Sequence, residues 1–303
     1  MSAPLVSVII PTFNRLHMVS RAIDSVLSQS YQNIECIVVD DFSSDGTVDF
    51  LREQYNDQIL LFQNLQNQDK SYSRNRGIKH SNGELICFLD SDDELPPNSI
   101  QDRILFYIDK QPFIGVIFGF RKNENESLEK AISKVRLKAG DQLSLEQYIE
   151  NPLILSTNSF LLSKNSMLKH GMYNESFGNK EDVELFLRLL VNLPFIYCGK
   201  QSTIVHADAS NRTRDNNIAI LNQGTKFSDT ISSNSELVNA LGKNMKKIVS
   251  NEYEEILRAL YYTNQGKKFR QQYARGIKGK KINHSTKFLK RYIISFLKIN
   301  SSF

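Results

Sequence analysis

The stretch Leu85-Ile86-Cys87-Phe88-Leu89-Asp90-Ser91-Asp92-Asp93 decides how the rest of the chain is read. Five apolar residues without alternation form a strand buried on both faces, the pattern of a parallel sheet rather than an exposed hairpin. Working outward, Val6–Ile10, Cys36–Val39 and Ile59–Phe62 precede it as similar short runs, and Ile114–Phe118 follows. Between them lie helical signals: the spacing of Leu16, Val19, Ile23, Val26 and Leu27, then Gly46–Tyr55, Tyr72–His80 and Asn98–Ile108. Strands alternating with helices of this length predict right-handed crossovers and an α/β fold, a mainly parallel sheet flanked by helices. Ligands bind beyond the carboxyl ends of such strands, which directs attention to the residues after Ile10, Val39 and Leu89.

Each strand end excludes or suggests a chemistry. Pro11-Thr12-Phe13-Asn14-Arg15 follows the first strand and carries none of the glycines a dinucleotide pyrophosphate would need for close backbone approach. No Gly-x4-Gly-Lys-Ser/Thr loop occurs anywhere, so NAD enzymes and P-loop enzymes are excluded. Asp40-Asp41 follows the second strand. A carboxylate there can accept a hydrogen bond from a base or ribose; the plainer alternative is that Asp45 or a nearby Ser caps the next helix and Asp41 is a solvated turn residue. Asp90, Asp92 and Asp93 repel one another unless a cation or a helix N-terminus neutralises them. Their short oxygen side chains suit Mg²⁺ or Mn²⁺ together with substrate phosphates. A calcium loop is excluded because its sixth position, which requires Gly, is Leu95. An acidic turn capping the helix after Pro96-Pro97 is the competing account of this cluster.

With 303 residues, the chain exceeds one ordinary domain. Residues 1–210 are expected to form the catalytic domain and residues 211–303 a smaller helical region. Within the first, residues 121–152 are polar and poor in period. A strand at Ser159–Leu162, helices near Asn165–His170 and at Glu181–Asn192, and strand-like runs ending at His206 are expected beyond. Cys36, Cys87 and Cys198 are too scattered for a disulfide framework or a zinc site and read as buried thiols. A strand-like run begins at Leu5 with no basic segment before it, so no secretory signal is expected. The longest apolar run, Phe113–Phe120, is far short of the ~20 residues a membrane span requires.

The net charge of +5 conceals an asymmetry. From Gly266 to Phe303 there are eleven Lys or Arg and no Asp or Glu, whereas the remainder holds 27 basic and 33 acidic side chains. On a helical wheel over Lys287–Ile299, Lys287, Lys290, Arg291 and Lys298 share one arc. Phe288, Leu289, Tyr292, Ile293, Phe296, Leu297 and Ile299 fill the other, with Ile294 misplaced. A basic amphipathic helix of this kind suits an anionic membrane surface. Packing of its apolar face onto protein is the alternative.

Taken together, Pro11-Thr12-Phe13-Asn14, Val39-Asp40-Asp41, Ser73-Arg74-Asn75-Arg76-Gly77, Gly83-Glu84-Leu85, Phe88-Leu89-Asp90-Ser91-Asp92-Asp93 and Glu181-Asp182 resemble, in order and spacing, the family-two inverting glycosyltransferases of GT-A fold. The resemblance covers roughly residues 4–208 and implies roles residue by residue. Phe13 would stack on the nucleotide base, in place of the commoner tyrosine. Asp41 would contact the base edge, Arg74 would lie near the nucleotide, and Asp90 and Asp92 would hold Mn²⁺ or Mg²⁺ on the donor diphosphate. His206 resembles a histidine that adds a further metal contact; a lone His is more often structural. Asp182 matches the catalytic base, and Gly171-Met172-Tyr173-Asn174-Glu175 before it resembles the family's Gly-Gly-Phe-Asp-Glu run. An acidic first helical turn is the plain alternative for Glu181, Asp182 and Glu184. Phe42, where a small residue is usual, and Val183, where tryptophan is often found, depart from the pattern.

The implied activity is transfer of a single sugar from a nucleotide-sugar donor, UDP-linked by preference, to the hydroxyl of a sugar or lipid-linked sugar, in surface polysaccharide or glycolipid synthesis. Processive synthases are set aside, since they carry Gln-x-x-Arg-Trp and membrane spans and this chain has no tryptophan. Two other classes compete: a nucleotide-sugar-binding protein without catalysis, and a basic tail that binds nucleic acid. The first would tolerate loss of Asp182, Asp90 or Asp92, which are all present; the second lacks any nucleic-acid module, so no nucleic-acid partner is expected. The expected location is cytoplasmic, with the tail at the inner face of the cell membrane.

Overall fold

The computed structural model describes residues 3–110, 115–207, 217–279, 281–282, 289, 291 and 292. The chain divides into two compact units. One comprises residues 1–176 with 181–209, the other residues 177–180 with 210–303.

The first unit is built on seven strands: β1 (Val6–Thr12), β2 (Ile34–Asp40), β3 (Leu60–Gln63), β4 (Leu85–Phe88), β5 (Val116–Asn123), β6 (Phe160–Ser163) and β7 (Phe195–Val205). They lie in the order β3-β2-β1-β4-β6-β5-β7. β1 to β4 run parallel, as the alternation of strands and helices predicts, and β5 runs parallel to β7. The one reversal is β6, antiparallel to both β4 and β5. Nothing in the apolar run Phe160–Leu162 announces a direction; it is set by the long excursion that precedes it. That excursion, expected to be polar and irregular, contains the end of β5 and two short helices, α5 (Leu128–Ser133) and α6 (Leu145–Glu150). Ser127 and Ser144 cap them, each accepting a hydrogen bond from the backbone N–H three residues on.

The helices over the first sheet half are α1 (Val19–Leu27), α2 (Thr47–Tyr55), α3 (Asp69–His80) and α4 (Ser99–Asp109). Val19, Ile23 and Val26 recur at helical spacing and are all buried in a core shared with Val6, Val8 and Ile10 of β1 and Val38 of β2. α3 has only a weak apolar stripe, and what seats it is the absence of a side chain. A Cβ at Gly77 would stand 2.4 Å from Cγ2 of Ile9, itself fully buried in β1. α7 (Lys164–Lys169) follows β6, and α8 (Glu181–Asn192) precedes β7. The three cysteines are free and buried, as expected, and burial pushes the Cys36 thiol up to about 12.

Register is what gathers the strand ends. Thr12 of β1 lies opposite Asp40 of β2, and Ile9 lies opposite Phe88 of β4. The residues that follow, Phe13, Asp41 and Asp90, therefore leave the sheet along one edge.

The second unit is helical, as expected for the C-terminal region: α9 (Asn217–Gln223), α10 (Lys226–Ser233), α11 (Ser235–Leu241), α12 (Asn244–Tyr262) and α13 (Gly266–Lys278). Tyr253, Ile256, Leu257 and Leu260 of α12 pack with Phe269 and Tyr273 of α13 and with Ile282. The helix expected over Lys287–Ile299 lies outside the described residues apart from Leu289, Arg291 and Tyr292. Of these, Tyr292 packs against Tyr273 and Arg291 lies over the rings of Tyr261 and Tyr262, while Leu289 is exposed. No described helix is long and apolar enough to cross a membrane.

Gly77→Ala tests how α3 is seated. Alanine favours a helix by about 1 kcal/mol over glycine, yet its methyl group would drive against the stiff, buried Ile9 side chain, and overpacking costs about 1–3 kcal/mol. The expected outcome is a net loss of stability, read as a lower urea midpoint at unchanged slope; a gain would show that α3 has room to move off β1.

Candidate active site

Two loops meet first at the sheet edge. The backbone N–H of Asn14 donates to Ser43 Oγ at 2.8 Å, and the N–H of Ser44 donates to Asn14 Oδ1 at 2.9 Å, joining the loop after β1 to the loop after β2. Asp45 tightens the joint: it accepts from the N–H of Leu16 across the gap and from the N–H of Thr47 at the start of α2. The N-cap of α2 is nevertheless Gly46, in the left-handed region and without a side-chain cap, so the plainer reading that Asp45 or a nearby Ser caps this helix does not hold. Nor is Asp41 a solvated turn residue. It is buried, its Oδ1 accepting from Asn64 Nδ2 at 2.7 Å and from the N–H of Gln68 at 2.9 Å. Asp40 is buried deeper still; Ser43 N–H donates to one of its oxygens, and burial raises its carboxyl above the usual range, with Asp41 adding to the effect.

Phe13 is 44% exposed and Phe42 51% exposed. Both are large apolar side chains left open at the sheet edge. Asn14 and Phe42 have positive φ, 50° and 70°. Asparagine tolerates this region, but for a bulky residue it is a genuine outlier that costs on the order of 1 kcal/mol or more.

The acidic strand end is organised by two partners. Asn158, just before β6, donates from Nδ2 to Asp93 Oδ2 at 2.7 Å, and its Oδ1 accepts the Asp90 N–H at 2.9 Å. Arg74 of α3, only 3% exposed, donates from Nη2 to Asp90 Oδ1 at 2.7 Å and from Nη1 to Glu181 Oε1 at 3.1 Å. The ring of Tyr173 lies beneath the guanidinium, 5.1 Å from its centroid. Burial opposes the charge on Arg74, but Asp90, Tyr173 and Glu181 together more than offset it and hold the guanidinium firmly protonated. Lys70 Nζ completes the cluster, 2.8 Å from the same Glu181 oxygen.

Asp182 stands beside Glu181 in the first turn of α8, half-buried, its Oδ1 accepting from the N–H of Val183. Burial raises its carboxyl above the usual range, and the neighbouring Glu181 charge raises it further, against the pull of Lys70. Such a carboxylate is a stronger base than one in water.

His206 is placed differently from a free metal ligand. Its Nδ1 lies 2.7 Å from Glu124 Oε2 and its Nε2 3.0 Å from Glu94 Oε2, so a metal would have to displace one of these carboxylates. Among the described residues no group of three His, Cys, Asp or Glu side chains is set to hold a metal ion. Asp90 and Asp92 remain as hard oxygen donors two residues apart. That set fits a cation taking its other ligands from substrate phosphates and water, the habit of Mg²⁺.

The structure therefore joins Asp90 and Glu181 through the Arg74 guanidinium, with Asp182 next to Glu181 in the chain, and sets Phe13 and Asp41 on loops that are joined to each other at the ends of β1 and β2. Arg74, expected beside the nucleotide, is buried and organises the carboxylates around it. Lys70, Asn64 and Asn158 escaped the sequence reading. Lys70 lies one helical turn before Arg74, at i and i+4, and that spacing was the available signal. Asn64 and Asn158 carry none, being brought in by tertiary contacts alone.

The sequence profile of Glycosyl transferase family 2 matches residues 7–177. GalNAc(5)-diNAcBac-PP-undecaprenol beta-1,3-glucosyltransferase of Campylobacter jejuni is 30% identical over 181 residues, which are 59% of this chain and 57% of that protein. UDP-Glc:alpha-D-GlcNAc-diphosphoundecaprenol beta-1,3-glucosyltransferase WfgD of Escherichia coli is 30% identical over 199 residues, 64% of this chain and 74% of that one. This chain thus spans little more than half the length of the first and about three quarters of the second. Among solved structures, S. aureus TarS 1-349 in complex with UDP-GlcNAc matches with a TM-score of 0.61 at 18% identity, covering 88% of this chain and 81% of that one. That likeness is one of fold, the GT-A arrangement.

Replacing Arg74 with Met should leave Glu181 and Asp90 without their shared partner. Removing one member of a buried pair costs about 3–5 kcal/mol, reduced here because Lys70 still reaches Glu181. The expected loss, about 2–4 kcal/mol in chemical denaturation, contrasts with the near-zero effect a surface ion pair would give.

Proposed function

Because the chain belongs to glycosyl transferase family 2, we propose that this glycosyltransferase moves one sugar from a UDP-linked donor to an acceptor hydroxyl with inversion at the anomeric carbon. The observation that carries the reading is the reach of Arg74, which touches Asp90 at the end of β4 and Glu181 beside Asp182. The residue suited to a metal-bound diphosphate is thus tied by a single side chain to the chain neighbour of the residue suited to a base.

Phe13 offers its ring face to the nucleotide base and Asp41 its carboxylate to the base edge. Asp90 and Asp92 would hold Mn²⁺ or Mg²⁺; bound there, the ion supplies Lewis-acid stabilisation of the charge on the departing diphosphate. The Asp182 carboxylate accepts the proton of the acceptor hydroxyl. That oxygen forms a bond to the anomeric carbon as the bond from that carbon to the diphosphate oxygen breaks, and the electron pair leaves with the nucleoside diphosphate. Inversion follows from this single displacement, through an oxocarbenium-like transition state. The C. jejuni and E. coli relatives are named for acceptors carried on undecaprenol diphosphate, which supports a lipid-linked sugar as acceptor here. The basic run after Gly266 is the part of the chain suited to an anionic membrane surface. Co-sedimentation of the full chain with anionic liposomes at low salt tests this; failure to sediment would leave the tail as a packing element.

The enzymatic test is sugar transfer or donor hydrolysis across a panel of nucleotide sugars with Mn²⁺. Asp92→Ala or excess EDTA should abolish turnover and weaken donor binding; full activity in EDTA would overturn the metal assignment. Asp182→Asn should preserve donor binding and lower kcat by roughly 10²-fold or more. A base must be ionised to work, so activity should fall as the pH drops through the Asp182 pKa. Because that pKa is raised, the acid limb of kcat/KM should lie above the ordinary aspartate range. An acid limb at an unperturbed aspartate value would place the base elsewhere.

A further inference from the structure

Resting on the donor reading above, we propose that Phe42 is a second aromatic contact for the donor's nucleotide base, acting with Phe13. The backbone of Phe42 occupies the left-handed region at φ 70°, which glycine would adopt freely. Its ring is 51% exposed and makes no ring or cation contact among the described residues. Neither packing nor burial within the protein compensates for holding a large apolar side chain in a strained backbone at the surface. Such strain persists where the surrounding structure enforces it and function uses it.

The surroundings of Phe42 do enforce it. Asp41 on one side is anchored by Asn64 and Gln68, and Ser43 on the other is hydrogen-bonded to Asn14, the residue next to Phe13. The two open rings thus stand on loops fixed to each other, with the buried carboxylate of Asp41 in the same segment as Phe42. A ligand that uses this edge has a planar apolar face and a hydrogen-bonding rim, which describes a nucleobase. Each ring can take one contact with its face or edge, and stacking of this kind is tolerant of base identity.

The test measures binding of UDP in the presence of Mn²⁺ by calorimetry for wild type, Phe42→Gly, Phe42→Leu and Phe42→Tyr, alongside their melting temperatures. Phe42→Gly and Phe42→Leu should each weaken UDP binding on the order of tenfold. Phe42→Tyr should keep wild-type affinity, since it restores the ring face. Phe42→Gly should melt at or above the wild-type temperature, because glycine relieves the backbone strain, and this separates loss of the ring from misfolding. Wild-type affinity in Phe42→Gly overturns the inference and leaves the donor reading standing. A wild type that binds none of UDP, dTDP or GDP removes the donor reading, and this inference with it.

Discussion

The buried guanidinium of Arg74 is the interaction around which the site in the first unit is arranged. It takes one carboxylate from the end of β4 and one from the start of α8, elements separated by more than ninety residues of chain. A cation this deeply buried persists only if its partners are close and correctly oriented, so each partner's element is fixed in turn. α3 can deliver Arg74 to that place because Gly77, one turn further on, lets the helix lie against Ile9 of β1. Backbone packing and site electrostatics are here the same constraint: lift α3, and the link between Asp90 and Glu181 opens.

Around that link the carboxylates are placed in contrasting environments. Asp90 is salt-bridged and partly open, Glu181 is buried between two cations, and Asp182 is half-buried and destabilised as an anion by the charge of Glu181. Burial beside a like charge, as at Asp182, raises a carboxyl and strengthens it as a base. His206, set between Glu94 and Glu124, belongs to a different polar group that ties the end of β7 to the acidic turn after β4. Its geometry is that of a clamp on that turn.

The other half of the site depends on loops rather than on helices. Parallel pairing places Thr12 against Asp40, and the loops that follow are joined through Asn14, Ser43 and Ser44. Several residues of these loops and of those near α3 and α8 have positive φ without being glycine: Asn14, Phe42, Asp69 and Lys180. Of these, Asn14 and Phe42 stand on the two joined loops at the ends of β1 and β2.

Much of this was already legible in the linear chain. Apolar runs such as Leu85–Leu89, set between helical repeats such as Val19, Ile23 and Val26, impose a parallel α/β sheet, because both faces of such strands must be covered. The motifs at the ends of β1, β2 and β4 follow from that, since parallel strands must deliver their carboxyl ends to one edge. The antiparallel course of β6 was not legible, because an apolar run of three residues pairs equally well in either direction until its neighbours are in place. Nor were the burial of Asp41 and Arg74 or the partners of His206. A polar side chain's environment is made by residues such as Asn64, Asn158, Glu94 and Glu124, which lie far away in sequence and share no periodicity with it. Charge and hydrogen bonding act through space over a few ångströms, so the folded chain alone decides which carboxylate meets a buried cation, which is buried beside a like charge, and which meets a histidine.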